Sequence, residues 1–291
     1  MSLKQTYHFL IDSIQLRVED VGIEQLFKYE YATEIENYEI LHKHNQSYLV
    51  MFKIRTVTNH KTKEQHQLIT FNGFHKYHPL RDDLLKKEFY DVIDVLMSND
   101  IKFHLNKLDL AIDIIDVNIK DIFVKRIKYR GIQHSMNNLK QVDILKIQNN
   151  EKSFYLEKTS SNRASKQRLY IYNKTKKEQS KGNLTLKDEI YRIEVELVNF
   201  NDVKKKINKK MSSIELESLS HEFRRRKSEV ITYDDIGQLD ISKKFKKSEF
   251  QELLQQEIKY RFNKYEINCM NKPIHFDYSI LEEILPFCIN L

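Results

Sequence analysis

The sequence predicts an α+β fold, a mostly antiparallel sheet with helices on one face, followed by a helical C-terminal part. Three observations carry this expectation. Runs rich in β-branched and aromatic residues recur through the first 200 positions, mostly separated by short polar loops rather than by the crossovers that parallel strands need. One stretch between them has an apolar stripe at helical spacing, and from Asn201 onward helical spacing dominates. Only five glycines and three prolines occur in 291 residues, so long flexible linkers are not expected.

The strand-like runs cover 7–18, 47–57, 66–74, 105–115, 142–148, 153–158, 168–174 and 189–198. Within 81–100, Leu85, Phe89, Val92, Ile93 and Leu96 share one helical face, with Asp82 placed to cap it. Further on, Ser212 with Glu215 and Ser248 with Gln251 have capping-box spacing. Phe250, Leu253, Leu254, Ile258 and Phe262 then form a second stripe. The expected division is a body over 1–200 and a helical C-terminal region over 201–291.

Composition narrows the function. A hydrophobic share of 40% with 11% aromatic residues is that of a folded chain. The cysteines, Cys269 and Cys288, form no CxxC pair, which argues against a zinc ribbon or disulfide framework and for free thiols in a reducing cytoplasm. No apolar run approaches the length of a membrane span, and the N-terminus lacks an export signal, so no membrane is expected. The net charge is +7, and its distribution is uneven. Residues 118–182 carry 16 lysines and arginines against five acids, which leaves the rest of the chain net negative. Such a segment is the footprint expected for a polyanion.

Three strands divide their residues in the same way. In 107–114, Leu108, Leu110, Ile112 and Ile114 oppose Asp109, Ala111 and Asp113; in 192–198, Ile193, Val195 and Leu197 oppose Arg192, Glu194 and Glu196. In 168–174, Leu169 and Ile171 oppose Arg168, Tyr170, Tyr172 and Lys174. Alternation alone fits a sheet with one wet face. Yet four carboxylates gathered there would repel one another unless a cation sat between them. A divalent metal would serve, and so would Arg192, Arg168 or Lys174. Asp109 and Asp113 lie four positions apart, about 13 Å at ~3.3 Å per residue, too far to ligate one ion together. A metal site would instead take Asp109 or Asp113 with Glu194 or Glu196. The histidine groups at 42–44 and 75–78 both lack a His-hydrophobic-His pattern.

In order and spacing, "KLDLAIDI", "RLYIYNK" and "RIEVELVNF" resemble the replication initiation factor family. These are rolling-circle initiators of plasmids and integrative elements, tyrosine nickases whose catalytic domain is similar to the His-hydrophobic-His nuclease/relaxase fold without the histidine pair. The resemblance covers residues 7–200. The family's R-x-D-x-A-x-D strand corresponds to Lys107, Asp109, Ala111 and Asp113, with lysine in the arginine's place. Its R-x-Y-[D/N]-K run corresponds to Tyr170, Tyr172, Asn173 and Lys174, with Tyr170 replacing the arginine, and its R-x-E strand to Arg192 and Glu194.

The resemblance implies that 1–200 is a catalytic nicking domain acting on an exposed single strand of origin DNA. Tyr172, which precedes Asn-Lys, is the favoured nucleophile and Tyr170 its neighbour. Attack would leave a 5′-phosphotyrosine and a free 3′-OH. Mg²⁺ or Mn²⁺ held by members of Asp109, Asp113, Glu194 and Glu196 would polarise the phosphate, with Lys174 and Arg192 adding positive charge. Arg168, Lys176, Lys177 and the run Arg224, Arg225 and Arg226 are the expected DNA contacts. A host helicase and a second copy of the chain are implied partners. Two other readings fit fewer of these residues. One is a non-catalytic single-strand binder that stacks bases on the tyrosines; the other is a metal-dependent hydrolytic nuclease.

Overall fold

A computed structural model describes residues 7–27, 31–34, 37–44, 47–77, 81–118, 121–126, 154–155, 168–182, 186–198, 200, 247–282 and 284. The fold is α+β, and its main sheet is antiparallel. Among the described residues nine strands lie side by side: β1 (Tyr7–Val18), β2 (Tyr31–Glu34), β3 (Asn37–His44), β4 (Ser47–Thr58), β5 (Gln65–Asn72), β6 (Phe103–Ile115), β8 (Phe154–Tyr155), β9 (Arg168–Asn173) and β10 (Ile190–Val198). Their spatial order is β2-β3-β4-β5-β1-β6-β10-β9-β8. A second sheet of three strands joins β7 (Ile122–Arg126) to β11 (Tyr265–Cys269) and β12 (Lys272–Ile274) in the order β12-β11-β7.

The aliphatic face of the main sheet forms because ladder partners repeat the alternation of their neighbours. Phe71 pairs with Ile14, Ile14 with Leu108, and Leu108 with Leu197; one turn along, Ile112 pairs with Ile193 and Ile193 with Ile171. Helix α1 (Arg81–Ser98) covers this face. Its buried stripe of Leu85, Phe89, Val92, Ile93 and Leu96 is the one read from the sequence, and the Phe89 ring lies 5.2 Å from Phe71 and 5.9 Å from Phe74. Burial of such rings is the main driving force for this layer.

Asp82 does not act as the expected cap. Its carboxylate accepts the backbone N–H groups of Lys76 at 3.2 Å and Tyr77 at 2.8 Å, so it fixes the loop before the helix instead. Arg81 assists by donating to the carbonyls of Gly73 at 2.5 Å and Asn72 at 2.7 Å. The loop thus held carries Tyr77 in a left-handed backbone conformation, φ 60°.

Two parts of the sequence expectation need correcting. Strand β9 ends at Asn173, and helix α2 (Lys174–Gln179) begins at Lys174. The Asn173 side chain accepts the Lys176 N–H at 2.9 Å and caps this helix. Lys174 therefore does not continue the strand face of the two tyrosines. The C-terminal region is also not helical throughout. Helix α3 (Lys247–Phe262) is followed by β11 and β12, where Tyr265, Ile267 and Cys269 alternate into the interior. The short period-2 run 265–269 was absorbed into the helical reading. Strands β2, β3 and β7 also went unread in the sequence. The run 142–148 and the helical signal at 212–215 lie outside the described residues.

The chain divides into two compact units, Met1–Asn199 with Ile258–Leu291, and Phe200–Glu257. The returning segment of the first unit packs Phe276 against Phe9 of β1 at 5.1 Å and against Phe262 at 4.5 Å. No helix among the described residues is long and apolar enough to cross a membrane.

Candidate active site

The face opposite α1 is built from three lateral rows that cross β6, β10 and β9. In the first row Asp109 pairs with Glu196 and Glu196 with Arg168; in the second Ala111 pairs with Glu194 and Glu194 with Tyr170. In the third Asp113 pairs with Arg192 and Arg192 with Tyr172. Strand β1 adds a β-bulge on the other flank. Its register skips between Ile11 and Ser13, so Asp12 has no partner across the ladder and its carboxylate is free to turn toward Arg192.

The third row is an ion cluster. Arg192, 0% exposed, donates from Nε and Nη2 to the two oxygens of Asp113, each at 2.6 Å. Its Nη1 reaches Asp12, and Nη2 also donates to the His75 carbonyl at 2.9 Å. The Tyr77 hydroxyl donates to Asp113 as well. Burial opposes ionisation of Asp12, but Arg192, with Lys174 and Lys177 nearby, outweighs it and holds the carboxyl below its ordinary range. Burial likewise works against the Arg192 guanidinium, yet Asp113 and Asp12 hold it firmly charged.

The first row has its own cation. The Lys107 ammonium bridges Asp109 at 2.9 Å and Glu196 at 3.1 Å. Ser13 donates a further hydrogen bond to Asp109 Oδ2, while Asp109 Oδ1 is buried without a hydrogen-bond partner. Burial pushes the Asp109 carboxyl up to about 6 despite the pull of Lys107.

Between these clusters lies Glu194, 5% exposed. Tyr170 donates to its Oε1 at 3.0 Å and Tyr172 to its Oε2 at 2.9 Å. Burial, with Asp12 and Asp109 close by, pushes the Glu194 carboxyl up to about 7. Burial also raises both phenols far above the ordinary tyrosine range, and the Glu194 charge adds to it. The two rings lie 6.4 Å apart, and the Lys177 ammonium from α2 sits 3.9 Å from the Tyr172 ring centroid.

Of the residues expected from sequence, Tyr170, Tyr172, Glu194, Glu196, Asp109, Asp113 and Arg192 do share one face. Their roles are redistributed. Asp113 is held on both oxygens by Arg192 and is not an open metal ligand. Arg192 is too buried and too fully engaged to touch a phosphate. Lys174 is buried and pairs with Glu178 at 3.2 Å, one turn along α2. Lys176 is exposed beside the site. Arg168 is in register with Glu196, whereas Arg224, Arg225, Arg226 and most of the basic segment lie outside the described residues. Sequence reading missed Asp12, Ser13 and Tyr77. The one carboxylate in β1, set between the apolar Leu10–Ile11 and Ile14, was the available signal for Asp12.

The raised carboxyls make stability depend on pH. Neutral Glu194 contributes fully below its ordinary value of 4.5, and this is lost as pH rises through about 7. Asp109 behaves alike up to about 6. Asp12 acts in the opposite sense, losing its contribution only as pH falls below the ordinary aspartate range. In chelating buffer, urea denaturation should therefore show stability falling by roughly 1–3 kcal/mol between about pH 5 and pH 7.5. Glu194→Gln should flatten that slope, and an unchanged slope would assign it to other groups.

A scan against models of known protein families gives no match, and no curated protein matches the chain.

Proposed function

We propose that the chain is a rolling-circle replication initiator that nicks and rejoins single-stranded DNA through a covalent 5′-phosphotyrosine, with Tyr172 as nucleophile. The observation that carries this reading is the Glu194 carboxylate, which accepts the Tyr172 hydroxyl at 2.9 Å and is pushed up to about 7. A phenol with a raised pKa is a poor nucleophile until a base takes its proton, and Glu194 is placed to do so. As Tyr172 Oη bonds to phosphorus, its proton passes to Glu194 and the bond from phosphorus to the 3′ oxygen breaks. Glu194 then returns the proton to that oxygen. Lys177, whose ammonium sits over the Tyr172 ring, would lend positive charge to a phosphate bound there.

The site residues also fit a divalent ion in one place. The Lys107 ammonium already fills the cation position between Asp109 and Glu196, so a divalent ion there would have to displace it, and the unpartnered Asp109 Oδ1 would offer a further lone pair. No group of three or more potential ligands is arranged around one point among the described residues, so such an ion would keep waters or phosphate oxygens. Bound there, Mg²⁺ or Mn²⁺ would offset negative charge gathering on the phosphate. Binding should show without turnover: Mn²⁺ should raise the melting temperature, by the equivalent of about 2.7 kcal/mol at roughly a hundredfold excess over Kd. Asp109→Asn should remove that rise, and an equal rise in the variant would move the ion elsewhere.

The likeness to nucleases and relaxases of the His-hydrophobic-His type, a cytoplasmic location, a host helicase and a second copy of the chain belong to the same proposal. It is tested by incubating the protein with single-stranded DNA and Mn²⁺ and running a denaturing gel. A covalent protein–DNA adduct supports it. Cleavage without adduct would favour a hydrolytic nuclease, and intact bound DNA a binding protein.

A further inference from the structure

The loop before α1 is pinned to the row that carries Tyr172. Phe74 donates its backbone N–H to the Asp12 carbonyl at 2.8 Å, the His75 carbonyl accepts from Arg192, and the Tyr77 hydroxyl donates to Asp113. Lys76 lies among these anchors, with its own N–H on Asp82. Its stem runs over Gly73, where an added methyl group would overlap Lys76 Cε. The bare backbone at Gly73, φ 69°, thus leaves room for a lysine on this side of the site.

Helix α2 brings two more ammoniums. Lys177 lies over the Tyr172 ring, and Lys181 follows at i+4 spacing just past the helix end, close to both Lys177 and Lys76. The neighbouring acids are largely matched: Glu178 pairs with Lys174, Asp82 lies 3.8 Å from Arg81, and Asp12 and Asp113 share Arg192. Lys76, Lys177 and Lys181 outnumber the two charges left over, one from Asp12 with Asp113 and one from Glu194, which already accepts two phenols. Lys86 adds a further cationic charge beside His75. Burial, and then Arg81, Lys181 and Lys174, push the Lys76 ammonium down to about 8 against the pull of Glu178. Burial also lowers Lys177, and Lys181 adds to it against the pull of Glu194 and Asp12. A phosphate among these ammoniums would relieve their mutual repulsion.

We infer that Lys76, Lys177 and Lys181 form a phosphate subsite, which holds the strand at the phosphodiester beside the one that Tyr172 attacks. The inference rests on the nicking reading for the identity of the strand. It adds Lys76 and Lys181, which no motif marks. Anchored through Asp82, Arg192 and Asp113, the loop carries Lys76 as a fixed arm, so the strand is located against a rigid part of the fold.

The test uses the full chain and a short fluorescent oligothymidylate in chelating buffer, where binding is read without chemistry. Lys76→Gln should weaken binding at least about threefold and lower the slope of log affinity against log salt by about 0.7. Lys181→Gln should do the same, and Lys76→Arg should stay near the wild type. Lysine acetylation read by mass spectrometry supplies the local measurement. The oligonucleotide should protect Lys76 and Lys181, and leave the exposed Lys61 and Lys63 of the β4–β5 turn unchanged. Binding with Lys76 unprotected, and with Lys76→Gln at wild-type affinity and slope, would overturn the subsite and leave the nicking reading intact. Equal protection by inorganic phosphate at the same phosphate concentration would overturn the strand in favour of free phosphate. Protection by the oligonucleotide without any covalent adduct when Mn²⁺ is supplied would uphold the subsite and overturn nicking, and absence of binding would overturn both.

Discussion

Tyr172→Phe should lower covalent adduct formation by at least ~10³-fold while the protein still folds and binds DNA. The ring is 5% exposed and packed beside Tyr170 and under Lys177, contacts that phenylalanine keeps. What disappears is the hydroxyl that donates to Glu194 Oε2. Its loss costs about 1 kcal/mol of stability, because Glu194 retains Tyr170 as a donor. Residual adduct in this variant should map to Tyr170, and the double phenylalanine variant should have none. Adduct at the wild-type level in Tyr172→Phe, read on a denaturing gel, would remove Tyr172 from the chemistry.

Arg192→Met should destabilise the fold by about 3–5 kcal/mol, the range for stripping one partner from a buried ion cluster. Methionine fills much of the space but leaves Asp113, 0% exposed, and Asp12 facing each other without their counter-charge. The His75 carbonyl loses its donor too. Arg192→Lys should restore little, since a single ammonium cannot span both Asp113 oxygens and reach Asp12. Adding Asp113→Asn to Arg192→Met should recover at least about 1 kcal/mol, because the uncompensated charge is then gone. Urea denaturation measures all of these, and a loss below about 1 kcal/mol for Arg192→Met would mean that the cluster does not hold the site together.

Much of the sheet was legible because alternation survives in single strands. Leu108, Leu110, Ile112 and Ile114 declare one face of β6 without any knowledge of its neighbours, and the stripe through Phe89 does the same for α1. The carboxylate-and-phenol face followed by subtraction. Register was not legible, and register decides chemistry here. That Arg192 stands between Asp113 and Tyr172, with Glu194 opposite Tyr170, depends on ladder pairing between segments about 80 and 20 residues apart in sequence. Hence Arg192 could be named from sequence as one counter-cation for the carboxylates, but that it neutralises Asp113 in particular needed the register. Asp12 was hidden for a different reason: a bulge leaves no periodic trace, and only the skip from Ile11 to Ser13 exposes it. Lys174 was misplaced because strand spacing was carried one residue past Asn173, whose side chain caps a helix.

The central claim is that the Tyr172 oxygen forms the bond to DNA. It is tested most directly by tandem mass spectrometry of the adducted tryptic peptide 169–174, fragmented between Tyr170 and Tyr172, after a short incubation with single-stranded DNA and Mn²⁺. The account predicts a nucleotide remnant on Tyr172 in the first adduct to accumulate. A first adduct carried by Tyr170 alone, or a peptide that never acquires a remnant while DNA is cut, would contradict it.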